Sequence, residues 1–124
     1  MHIKLPVMLI GLRAKSSWSV FTYARDNSKA LPVFTNASMI PLFQRKIVSA
    51  SNLHRCVLHA IPDLTELITT MERIKDEVDL IALNPQPTPT AGLQMWFTPD
   101  DFLGVLNRQL ESQKQCKNHP PHST

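Results

Sequence analysis

Ala30-Leu31-Pro32-Val33-Phe34-Thr35-Asn36 and, about fifty residues later, Asp79-Leu80-Ile81-Ala82-Leu83-Asn84-Pro85 are the two stretches whose reading decides the fold. Each is an apolar run of strand length that stops at residues suited to a turn or a cap. Thr35 and Asn36 carry side-chain oxygens that can receive the free N–H groups of a following helix. Pro85 pushes Asn84 out of the helical region and ends the second run in an extended corner. That second run is apolar at every position between Asp79 and Asn84, so both of its faces are expected to be covered and the strand to be central.

Working outward from the first stretch, Arg25-Asp26-Asn27-Ser28-Lys29 supplies a turn, because Asp and Asn tolerate left-handed φ. Before it, Leu5–Leu12 reads as one strand and Ser17–Ala24, with Trp18, Val20, Phe21 and Tyr23, as another, giving an antiparallel hairpin or meander. After it, Pro41 forbids a helix capped by Asn36 but suits one capped by Ser38, where proline falls in the first turn. That helix carries Leu42, Phe43 and Lys46 and stops near Ser49–Asn52.

Arg55–Ile61 is a strand closed by Pro62. Asp63 then caps a helix, with Glu66 completing a capping box and Leu64, Leu67, Ile68, Met71, Ile74 and Val78 sharing one face. Residues 85–92 form a proline-stiffened loop, and Leu93–Phe97 a last strand. Thr98-Pro99-Asp100-Asp101 is a strong helix start, after which Phe102, Leu103, Leu106 and Leu110 bury one face. From Ser112 the periodicity stops. The expectation is an α+β domain over residues 1–111, of order β-β-β-α-β-α-β-β-α, with a mixed sheet of five to six strands backed by three helices. Residues 112–124 are expected to form a disordered tail.

Length and composition agree with one globular domain: 124 residues, 43% apolar and 19% charged, suffice to bury a core without covalent staples. Cys56 and Cys116 therefore read as free thiols, which favours a reducing compartment. The apolar run Leu5–Ile10 is too short for a signal peptide or a membrane span, contains Pro6, and is followed by Arg13, Lys15 and Trp18. The cytoplasm is the expected location.

At this point the chain resembles a known family. The Ala30–Thr35 strand running into a helix resembles the signature of the SseB amino-terminal domain, named for enhanced serine sensitivity, and Asp79–Pro85 resembles its second signature, an apolar strand ending in Asn-Pro. Leu93–Phe102 is similar to its closing strand and helix, while Asp26-Asn27 stands where the family has Asp-Gly. The resemblance spans most of residues 18–110. It implies the α+β fold and brings no catalytic residues; a second domain is not expected here, which departs from the family pattern.

The chemistry-bearing residues form few constellations. Gly11, Gly92 and Gly104 are the only glycines, so neither a Walker loop nor a dinucleotide-binding loop can be built. His54, Cys56 and His59 are ligand types, but on a strand 54 and 56 point away from 59. Cys116, His119 and His122 lie in the tail without a fourth ligand. Asp100 and Asp101 serve the helix dipole, Asp79 begins a strand, and Ser16, Ser17 and Ser51 have no base. No cofactor is expected.

Charge is unevenly spread. Residues 1–55 hold eight Lys or Arg against one acid, whereas residues 56–124 hold five against nine. Such a split can steer an anionic partner or bring two copies together, although folding interleaves segments. Trp18, Phe21, Tyr23 and Trp96 with Arg13, Lys15 and Arg25 would suit a stacking platform for single-stranded nucleic acid, against the alternative that the aromatics are core. The leading expectation is a non-enzymatic module that binds another protein or itself, with Lys15, Arg25, Lys29 and Trp96 as candidate contacts. The alternatives are an anion or nucleic-acid binder using the basic N-terminal half, and an enzyme whose site is not visible in sequence. No membrane contact is expected.

Overall fold

The computed structural model describes residues 2–14, 17–85 and 95–118. Its strands are β1 (Val7–Ala14), β2 (Ser17–Val20), β3 (Tyr23–Arg25), β4 (Ser28–Phe34), β5 (Cys56–Ile61), β6 (Leu80–Leu83) and β7 (Met95–Phe97). A 3-10 turn (Ala37–Met39) leads into α1 (Ile40–Ile47), and a single turn α2 (Ala50–Leu53), α3 (Leu64–Ile74) and α4 (Pro99–Asn118) follow. The class is α+β as expected, with seven strands in one mixed sheet.

The extra strand arises because Ser17–Ala24 is not one strand. Gly11 and Leu12 pair with Val20 and Ser19 of β2 on one edge and with Val57 and Cys56 of β5 on the other. Met8 and Leu9 pair with Phe34 and Val33 of β4 on that same first edge. The ribbon that leaves β2 therefore has to change partners. It bends after Phe21, whose N–H still donates to the Ile10 carbonyl at 2.8 Å, and continues as β3 against β4. β2 and β3 form a wedge between β1 and β4, in a sheet running β5, β1, β4, β6, β7. The β3–β4 turn is Asp26-Asn27 with φ of 48° and 67°, the left-handed pair that a two-residue hairpin demands.

The two fold-deciding stretches lie side by side. β4 and β6 are parallel, Leu31 beside Ile81 and Val33 beside Leu83, and side chains clamp both ends of the pair. At one end the Lys29 N–H donates to the Asp79 carboxylate at 2.8 Å, and the Asp79 N–H donates back to the Lys29 carbonyl. At the other, Asn84 turns at φ 48°. Its Oδ1 accepts the Thr35 N–H at 2.9 Å, its Nδ2 donates to Thr35 Oγ1 at 2.8 Å, and its own N–H donates to the Val33 carbonyl. Thr35 is thus not a helix cap but half of a lock that closes over 49 residues. Asn84→Ala removes both side-chain bonds and places a Cβ without compensation at positive φ. A loss of about 1–3 kcal/mol is expected in urea titration, with Asn84→Gly losing the bonds but relieving the backbone.

At the entry to α1 the two caps share the work. Asn36 Oδ1 accepts the Ser38 N–H and caps the 3-10 turn, and the α-helix begins at Ile40 with Pro41 in its first turn. The later start is as expected, but Ser38 is not its cap: Met39 holds that position without a side-chain bond. Asp63 accepts the Thr65 N–H at 2.9 Å and caps α3, whose Leu64, Leu67, Met71 and Ile74 are buried.

Alternate residues of β1 feed two cores. Val7 and Leu9 join Leu31, Val33 and Ile81 beneath Leu67, Met71, Phe102 and Leu106 of α3 and α4. Ile10 joins Phe21, Phe34, Ile40, Phe43 and Val48 on the α1 side. Helices thus cover both faces, and β6 is interior, between β4 and β7, with Ile81, Ala82 and Leu83 buried. α4 also runs on to Asn118, past the expected boundary at Ser112, because Glu111, Gln113, Lys114 and Gln115 hold a helix on propensity while pointing to solvent. Residues 86–94 and 119–124 lie outside the described residues, and with them most of the expected proline-stiffened loop, the start of the expected strand at Leu93 and the end of the expected tail. Among the described residues Gln109 is the one buried polar side chain: its Oε1 accepts the Ile3 N–H at 2.7 Å and its Nε2 donates to the Ile3 carbonyl at 2.9 Å.

Candidate functional site

Three surface features could carry function: an aromatic and cationic stack, a groove beside α3, and an open strand edge. The stack unites two of the residues singled out from sequence. Arg25 pairs with Ser28, and Trp96 with Ala82, on strands separated by β4 and β6. Both project on the α1 side, where the intervening Ala30 and Ala82 are small, and the Arg25 guanidinium lies 3.8 Å from the centre of the Trp96 ring. Such a contact contributes roughly 0.5–1 kcal/mol at a partly exposed position. The Asp26 carboxylate stands 4.0 Å from the same guanidinium but is almost wholly in water. Arg25 and Trp96 therefore hold each other across β4 and β6. Lys29 projects to the opposite face, toward α3, and Lys15 lies outside the described residues.

Beside Arg25 sits Tyr23, packed edge-on against Phe43 at 5.4 Å. Burial pushes its phenol up to about 12, with the Arg25 charge pulling the other way. A folded-state pKa raised above the unfolded value means that stability is fully present below pH 10 and is lost as pH rises toward 12. Tyr23 is the only tyrosine. The ultraviolet phenolate band of the folded protein should thus titrate near 12, and Tyr23→Phe should remove that part of the alkaline loss seen in thermal melts.

The groove, of about 830 Å³, lies on the α3 side and is lined by Val20, Lys29, His59, Glu66, Arg73 and Glu77 among others. Lys29, from the basic half of the sequence, meets acids from the other half there, so folding has interleaved the two charge sets. Cys56 pairs with Leu12 and faces the α1 side, whereas His59 pairs with Leu9 and faces α3. Among the described residues no three His, Cys, Asp or Glu side chains converge as metal ligands. The Cys56 thiol is free, raised above its usual range by burial, and donates to the Asn52 carbonyl at 3.5 Å.

No protein-family model matches the chain, and no curated protein matches it either.

The third feature was not singled out from sequence. β5 runs along one edge of β1, and among the described residues no strand pairs with its other edge. Backbone parity identifies which groups face outward. The Arg13 N–H donates to the Arg55 carbonyl, whereas Ile10 accepts from Phe21 on the opposite edge of β1. In an antiparallel ladder, direction alternates residue by residue, so Val57, His59 and Ile61 bond to β1 and Cys56, Leu58 and Ala60 direct N–H and C=O outward. Leu58 is 51% exposed, and the strand contains no charged residue, proline or glycine. Natural edges are commonly blunted by such residues. The sequence signal was present in the uncharged run Cys56-Val57-Leu58, but only the pairing of β5 with β1 reveals that it is an edge. No helix among the described residues is long and apolar enough to cross a membrane.

Proposed function

We propose that this chain is a protein-interaction domain of the SseB amino-terminal type, and that β5 is the element that binds. The observation that carries the reading is the edge left unpaired among the described residues: outward backbone groups at Cys56, Leu58 and Ala60, with Leu58 half in water between them. An added strand would satisfy those groups and cover the leucine, giving affinity through the main chain and selectivity through alternate side chains. Exposed Leu53 lies just before the strand, and Leu42 on α1 is also exposed, which adds apolar contact for a bound partner. The free Cys56 suits a reducing compartment. The joined β4–β6 pair, locked at Thr35 and Asn84, supports the family resemblance because its two signatures are in contact.

Leu58→Lys tests this reading. A lysine on the edge disfavours strand addition, while the exposed position leaves the fold intact. Proteins retained by the immobilised chain, itself included, should be lost from Leu58→Lys and kept by Arg25→Glu. Equal retention by wild type and Leu58→Lys, or no retention by wild type, would sink the reading. Retention of nucleic acid alone would transfer it to the basic half.

A further inference from the structure

We infer that the occupant of the β5 edge is the β5 edge of a second copy, paired antiparallel about a two-fold axis at Leu58, so that two sheets join into one. The inference rests on the reading of β5 as the binding element. The parity derived above restricts the register. Only Cys56, Leu58 and Ala60 offer backbone groups to the outside, so two such edges can meet only with these residues opposite one another. The centred arrangement sets Leu58 against Leu58 of the other copy, and Cys56 against Ala60, each pair exchanging both bonds. Every outward group of the strand then has a partner. The exposed Leu58 is covered by its own symmetry mate, at the short separation of directly opposed residues.

Charge complementarity selects the same occupant. The two ends of β5 differ in sign: Arg55 and its neighbour Arg13 stand at the start, and Asp63 and Glu66 follow the finish. Antiparallel pairing about Leu58 places Arg55 of one copy opposite Ile61 of the other, two residues from its Asp63. Both basic ends thereby meet acidic ends. A parallel arrangement would set like charges together, which costs association free energy rather than contributing to it. The strand also lacks the inward charges and prolines by which natural edges avoid self-pairing.

The test uses the full chain and reads mass in solution by sedimentation equilibrium across a wide concentration series. Wild type should form a dimer. Leu58→Lys and Leu58→Glu, each with an unchanged thermal melt, should each weaken it by roughly tenfold or more, because the axis sets like charges face to face. Their equimolar mixture should dimerise again, since lysine then faces glutamate. That rescue would not follow if Leu58 met any other residue. A dimer that persists in Leu58→Lys, or a mixture that stays monomeric, would overturn the register. A wild type that is monomeric throughout, yet captures other proteins through Leu58, would overturn the second copy and leave the interaction reading standing. Capture indifferent to Leu58 would remove both.

Discussion

Ile81→Asp should yield a chain that does not fold. Ile81 is 0% exposed, in the interior strand, with Leu31 beside it on β4 and Phe97 on β7, and it lies in the cluster roofed by α3 and α4. A carboxylate there has no cation within that apolar set and must either remain ionised without water or take up a proton. Either course costs several kcal/mol, against a total stability of roughly 5–15 kcal/mol for a domain. Leu83→Asp, one pleat further and also buried, should behave alike. Circular dichroism is the measurement, and a cooperative melt like that of wild type for both variants would contradict the placement of β6.

Phe43→Ala should be the costliest apolar truncation on the other face. Its ring is fully buried and meets three others edge-on, Phe34 at 5.3 Å, Tyr23 at 5.4 Å and Phe21 at 6.5 Å. Those partners come from β4, β3 and the bend of the wedge, so one side chain ties α1 to three segments. Phe43→Ala and Phe34→Ala should each lose about 3–5 kcal/mol in urea titration. The double variant should lose less than the sum, because both substitutions open the same cavity. Additive losses would mean that the rings do not share a cavity. A loss below about 1 kcal/mol for Phe34→Ala would make it a surface residue.

What could be read from sequence and what could not divides along one physical line. α3 was legible because its cap, Asp63, and its face, Leu64 to Ile74, are written within a few residues of one another. The Asp26-Asn27 turn and the two apolar strands were legible for the same reason. The bend at Phe21 was not, since a strand's alternation is blind to a change of partner along its edge. The lock between Thr35 and Asn84 was hidden likewise: each residue has a sufficient local reading, as a cap or as the residue before proline. Arg25 and Trp96 both belonged to the anticipated set, yet their contact and the separation of Lys29 onto the opposite face depend on sheet order. β5 was recognised as a strand, but being an edge is a property of what is absent beside it. The extension of α4 escaped because a solvent-exposed helix needs no apolar period.

The side-chain amide of Gln109, which receives and returns the backbone bonds of Ile3, joins positions 106 apart in the chain. On a ribosome the residue that holds Ile3 is made long after it. At about 5–20 residues per second, roughly 5–20 seconds pass between the two. Throughout that interval the segment leading into β1, a strand paired with three others, has no amide to grip it, and Ile3 and Val7 wait for the helix that will cover them. Anchoring of this segment is therefore a late event, and the nascent chain spends those seconds with its first strand uncovered.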